Sequence, residues 1–221
     1  MRNRWLPNLV MAAALSCAGA AAAFDVQKIA SETQRSVLDG SDVSMVWWIP
    51  TEFWKAAMDS QHVDSATARP VLASLDQYLV FAIIRASVGN GGQLVAARTR
   101  EEIVVSSRLV VDGPAIDPVP VDALSPIAAA LFEKFRPVMA QMLGSFGGSM
   151  VLVAYPAKVG GQTLVDATRP GQFSYTLYDQ TFRWRLPLGS LMPPRVDAKT
   201  GEEFPGNFLF SPYTGEPLVL K

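Results

Sequence analysis

The stretch Ser44–Met58, SMVWWIPTEFWKAAM, does most to limit what this chain can become. It holds three of the five tryptophans. Val43 to Ile49 is a short apolar run of β-branched and aromatic residues, the pattern of a strand buried on both faces. Pro50 stops it. Thr51 is placed to cap a helix, because its hydroxyl can accept a bond from a free N–H of the first turn. Phe53 with Ala57, and Trp54 with Met58, are i,i+4 pairs on that helix. A strand that passes at once into a helix makes a corner. Trp48 and Phe53 are expected to point inward there, against the strand Tyr78–Val88 and the helix from Pro126 to Leu143. Trp47 and Trp48 are neighbours on a strand and face opposite sides. One of them meets a second layer, a cleft or water. Trp47 and Trp54 are therefore the candidate ligand-binding residues, one of them expected to stand partly exposed.

The elements around this corner follow from period and punctuation. Val26 to Leu38 reads as a first helix, ending at the turn signal Asp39-Gly40. Ala66 to Asp76 reads as a second short helix, weakened by Pro70. Tyr78 to Val88, YLVFAIIRASV, is the clearest strand, and Gln93 to Arg98 returns beside it after a glycine turn. Glu102 to Val111 reads as a strand pair or one bent strand. Ser125 and Pro126 open the best helix, since proline at the first turn lacks only an N–H that would be free anyway. Its apolar stripe is Ile127, Leu131, Phe135, Val138 and Met142. Pro137 should kink it, and Gly144 can end it. Met150–Tyr155, Ser174–Asp179 and Thr181–Leu186 read as further strands. Strands close in sequence pair antiparallel, so the expected class is α+β: an antiparallel sheet or sandwich backed by a few helices, with an irregular ribbon-like C-terminal tail.

The leader, positions 1–23, carries Arg2 and Arg4, no acid, an apolar run and Ala21-Ala22-Ala23. That is the pattern of a secretory signal peptide cleaved before Phe24. Its apolar stretch is short of the roughly 20 residues that span a bilayer, and no transmembrane segment is expected. Cys17 would be the acceptor of a lipid anchor, but Leu15 stands one place late for that signal. Removing the leader takes away two of the 19 basic side chains and none of the 20 acidic ones, so the net charge moves from −1 to −3. No basic block is present, so nucleic acid is not an expected partner. The chain's single cysteine lies in the leader, which leaves no thiolate for disulfides, metal or nucleophilic catalysis. The expected organisation is a signal peptide over 1–23, a globular domain over 24–190 and a tail over 191–221 packed on it.

The tail contains a short repeat. Asp197-Ala198-Lys199-Thr200-Gly201-Glu202 finds its counterpart in Ser211-Pro212-Tyr213-Thr214-Gly215-Glu216, and Phe204 and Leu218 also correspond. This resembles the paired knuckles of a zinc ribbon, over positions 191–221 only. Asp197 and Ser211 stand where a ribbon places cysteine. Structural zinc takes four ligands, mostly thiolate or imidazole, so the resemblance implies two glycine turns that have lost their metal. Phe204, Phe208 and Phe210 are then expected to pin the tail to the body by burial. No metal and no cofactor is expected.

Chemistry is thinly marked. His62 is the one histidine, in the polar connector SQHVDS, and GSFGGS at 144–149 lacks the spacing of a nucleophile elbow. Glu101-Glu102 and Glu202-Glu203 are adjacent pairs, which on a strand face opposite sides. A glycosidase pair could arise from distant residues, which sequence does not show. The expected function is that of a secreted or periplasmic binding or interaction module without catalysis, whose partner is an envelope protein or a small ligand. The alternative is an envelope hydrolase whose carboxylates assemble only in the fold. Two close carboxylates in a cleft, one with a raised pKa, would favour the hydrolase. An aromatic surface patch without such a pair would favour binding.

Overall fold

The structure is a computed structural model, and it describes residues 25–89 and 92–221, apart from the Met142 side chain. The leader, with its cleavage site and Cys17, lies outside the described residues. The fold is α+β. Among the described residues no helix is long and apolar enough to cross a membrane.

The chain opens with α1 (Val26–Thr33), capped by the Asp25 carboxylate. The helix expected to reach Leu38 stops at Thr33. Residues 34–39 instead form β1 (Gln34–Asp39), which pairs residue by residue with β2 (Asp42–Ile49), from Gln34 opposite Trp47 to Asp39 opposite Asp42. The turn signal at Asp39-Gly40 is real, but it closes a hairpin. Gly40 has φ +58°, as a tight hairpin loop of this kind requires. A ladder with a strongly apolar neighbour outweighs the weak helical pattern of these residues.

After β2 comes α2 (Thr51–Ser60). Its cap position is Pro50, which offers no side-chain bond, so the expected Thr51 cap is displaced by one position. Thr51 is the first helical residue, and its hydroxyl reaches Asp76 Oδ1 at 3.5 Å. Next is α3 (Ser65–Leu75), capped by Asp64 and holding Pro70 within it. It leads into β3 (Tyr78–Val88), and β4 (Leu94–Ala97) returns along its end. The following segment departs from expectation. Thr99 and Glu102 form a reciprocal capping box that starts α4 (Arg100–Val105), and only then does β5 (Ser107–Val110) begin. The apolar run IVV is thus the tail of a short helix, because the box satisfies two free N–H groups at its start.

Then come β6 (Ala115–Ile116), α5 (Pro126–Leu143), the short α6 (Ser145–Gly148) and β7 (Val151–Pro156). Ser125 caps α5, and Gly144, at φ +61°, ends it. Leu131, Phe135 and Val138 are buried along its stripe, while Ile127 is exposed. The small hairpin β8 (Lys158–Val159) and β9 (Gln162–Thr163) precedes β10 (Gly171–Leu177) and β11 (Gln180–Leu186).

Among the described residues these strands build two larger antiparallel sheets. In the first, β1, β2, β3 and β4 lie in that order, with β7 also on β3; in the second the order is β11, β10, β5, β6. The two tryptophans of β2 show how the layers stack. Trp47 meets Phe53 of α2 edge-on at 5.0 Å and lies 6.3 Å from Phe135 of α5. Trp48 meets Phe173 of β10 at 4.9 Å. Opposite faces of one strand therefore bury into a helical layer and into the second sheet. Phe81, opposite Trp48 in the ladder, continues the sheet-to-sheet core toward Tyr155, Tyr175 and Trp184. Trp48 and Phe53 are buried as expected, but Trp48 packs on the second sheet and not on α5.

The tail forms a small sheet of β13 (Glu203–Phe204), β12 (Arg195–Val196) and β14 (Val219–Leu220). Its two repeated turns match bond for bond. Gly201 N–H donates to Asp197 O and Gly215 N–H to Ser211 O; Asp197 N–H donates to Glu202 O and Ser211 N–H to Glu216 O. Asp197 Oδ1 accepts the N–H groups of Lys199 and Thr200, and Ser211 Oγ accepts those of Tyr213 and Thr214. Gly201 and Gly215 share φ near +73° and +72°. Phe204 is buried, but Phe208 and Phe210 are exposed, at 39% and 59%. The expected pinning by three phenylalanines is corrected to one. Within the tail, Arg195 donates to the carbonyls of Gly206 and Leu218, and Asn207 Nδ2–H donates to the Pro187 carbonyl of the body at 3.1 Å.

Candidate functional site

The residues named from sequence do not form the site. Trp47 and Trp54 are 9% and 3% exposed, so the expectation that one stands partly exposed is corrected. The cause is α5, whose Phe135 lies against both rings. The four large rings of the corner, Trp47, Trp48, Phe53 and Trp54, are all buried. His62 is exposed at φ +54°. It follows the C-terminal end of α2, and a ten-residue helix is about 15 Å long, so it stands away from anything assembled at the start of α2.

A cleft of about 370 Å³ lies at that start. Trp48 and Pro50, at the end of β2, lead into it, and the first turn of α2 places Thr51 and Glu52 on its wall. The junction of α3 and β3 supplies Asp76 and Tyr78, and the β8–β9 hairpin supplies Lys158 and Thr163. The segment after that hairpin brings Asp166 and Thr168. Tyr78 is anchored by its hydroxyl, which accepts the N–H of Ser125 at 2.9 Å. The 2%-exposed Trp48 carries an indole N–H with no hydrogen-bond partner, although buried polar groups are nearly always paired.

Two carboxylates of this cleft, Glu52 and Asp166, have pKa values shifted in opposite directions. Burial pushes the Glu52 carboxyl above its ordinary range, and the negative charges of Asp166 and Asp76 push it further; its own backbone N–H and Lys55 oppose this. Asp166 is held below its ordinary range, first by the Thr168 hydroxyl, which donates to Oδ1 at 2.6 Å. The Thr168 N–H donates to the same oxygen at 2.9 Å, and Arg169 lies 3.2 Å from Oδ2. Hydrogen bonds to an anion stabilise it, whereas desolvation stabilises the neutral acid. Two acids with pKa values driven apart can serve as proton donor and proton acceptor in one site.

No protein-family model matches this chain. No curated protein and no solved structure is significantly similar to it. The cleft must therefore be read from its own chemistry. Among the described residues no group of three or more histidines, cysteines or acids is placed to hold a metal. The lining is polar, with hydroxyls from Thr51, Thr163 and Thr168 beside the acids.

Sequence reasoning does not find Glu52, Asp76 or Asp166. Glu52 is visible there only as the residue after an expected cap. Nothing in the sequence links it to Asp166, more than a hundred positions on, because only the folded chain brings the two to the wall of one cleft.

Proposed function

We propose that this is an exported envelope protein that binds a small polar ligand in the cleft at the start of α2. The observation that carries the reading is that the half-buried Glu52, with its pKa shifted up, lines one cleft with Asp166, whose pKa is shifted down. Acids whose pKa values are perturbed by burial and by specific neighbours, gathered in a cleft, are the mark of a candidate functional site. Export is supported by the leader of the sequence. The test of the site is a thermal-shift and calorimetric screen of small polar compounds against wild type and Glu52→Gln. Binding lost in the variant supports the cleft; binding that survives there moves the ligand elsewhere.

The same pair favours a second reading, hydrolysis, in the way the sequence argument set out. A neutral Glu52 would donate a proton to a leaving group, while Asp166 would accept one from water. Turnover of the bound compound, abolished by both Glu52→Gln and Asp166→Asn, would separate an enzyme from a binding module.

For the tail we propose a zinc-ribbon-like hairpin that holds its shape without metal. Its support is the bond-for-bond match of the two turns, in which buried Asp197 and Ser211 oxygens, at the cysteine positions of the resemblance, accept the N–H groups of the turns. Lys199 and Glu216 bridge one turn to the other at 2.7 Å.

A further inference from the structure

A second cleft, of about 280 Å³, adjoins the first. Thr163, Val165 and Asp166 line both. Asp166 is therefore a partition between two cavities, with Glu52 and Asp76 on one side and Asp112, Arg169 and Gln172 on the other. The Thr168 hydroxyl and N–H orient the Asp166 carboxylate, with the exposed Arg169 beside it.

We propose that the two clefts are successive subsites of one groove, and that the groove takes a linear oligosaccharide running across Asp166. This rests on the reading of the first cleft as a ligand site. Each cleft alone is near the lower end of the roughly 300–1,000 Å³ of small-ligand pockets, and a ligand that filled both would exceed either. The lining chooses the chemistry. Carboxylates and the Gln172 amide accept or donate in pairs, which suits adjacent hydroxyls, and the three threonines add single hydroxyls. A peptide would want apolar pockets for its side chains, but Leu79, Ala157 and Ala167 of the first cleft are buried. Sugar units would sit on both sides of Asp166, so the glycosidic link between them would lie beside it.

The experiment is calorimetric titration of the full mature protein with linear oligomers of glucose, xylose and N-acetylglucosamine, from the monosaccharide to the hexamer. Affinity for one series should rise at least tenfold between the disaccharide and the tetramer. Asp112→Asn with Gln172→Ala should reduce the tetramer to the disaccharide's affinity, and Glu52→Gln should weaken every length. Affinity independent of length, or a rise that persists in the Asp112/Gln172 variant, would overturn the groove while leaving the first cleft a ligand site. Peptides or small cations binding where no saccharide does would overturn the glycan assignment alone. Failure of every compound class in the first cleft would remove the underlying reading as well.

Discussion

The Trp184 indole donates its Nε1–H to the backbone carbonyl of Thr33 across 2.8 Å, joining residues 151 positions apart. The same threonine accepts the Trp47 indole N–H on its hydroxyl at 3.2 Å, and donates its O–H to the Ile29 carbonyl at 2.9 Å. Thr33 is fully buried where α1 gives way to β1. It therefore ties the first helix, the first sheet through Trp47 and the second sheet through Trp184 at one point.

Thr33→Val tests this junction. It keeps the branched shape and the carbonyl that Trp184 uses, but leaves the buried Trp47 N–H without an acceptor. An unsatisfied buried donor costs about 1–3 kcal/mol, and urea unfolding should show that loss. A change under about 0.5 kcal/mol, the size of an ordinary surface substitution, would mean that the Trp47 bond contributes nothing.

Trp48→Ala should destabilise by about 3–5 kcal/mol, the usual cost of deleting a large core aromatic. The void would open against Phe173, at the seam between the sheets. Because Trp48 also lines the cleft, ligand binding should fall in the fraction of protein that remains folded. A loss below about 1 kcal/mol, well short of that cost, would contradict the packing described.

Glu52 makes a prediction about pH whose sign differs from that of a salt-bridged acid. Its folded pKa is raised, so between the ordinary and the raised value the folded state holds more proton than the unfolded state. Stability contributed by this group is then full below the ordinary glutamate range and falls as pH rises through the raised value. Glu52→Gln should match wild type near pH 4 and be the more stable protein at pH 7, in paired denaturation curves. Equal curves at both pH values would mean that burial does not perturb this carboxyl.

His62 should not matter. His62→Asn suits the left-handed backbone at φ +54°, a region asparagine tolerates. Stability should change by less than about 0.5 kcal/mol, and any turnover should persist. A rate lost by about 10³-fold or more in a folded variant would restore a triad reading.

The tail should purify without stoichiometric zinc, and a chelator should leave the melting point unchanged. Asp197→Ala removes the buried acceptor of two N–H groups, and should cost about 1–3 kcal/mol, with the tail becoming the first site of proteolysis. Stoichiometric zinc in metal analysis, or a melting point lowered by chelator, would show the turns to be metal-held. For export, mass spectrometry of the mature protein should find Phe24 first; a diacylglycerol on an N-terminal Cys17 would replace that reading with an anchored one.

Local chemistry decided what the sequence made legible. Ser125-Pro126 and Gly144 bound α5 because capping and a left-handed stop involve only neighbouring residues. The alternation of Trp47 and Trp48 onto two faces follows from strand geometry alone, and so does the need for a second layer behind each. The matching turns at Asp197 and Ser211 were visible because the repeat is written in the residues that make the bonds. What the tertiary structure decided is whatever depends on contacts far apart in the chain. Residues 34–39 became a strand because β2 was there to pair with, and no local preference records a partner. Trp54 became core because Phe135, 81 positions later in the chain, lies against it. The cleft exists because three separate segments place Glu52, Asp76 and Asp166 around one space. The opposed pKa shifts of Glu52 and Asp166 come from burial and neighbours, which a single residue's identity does not carry.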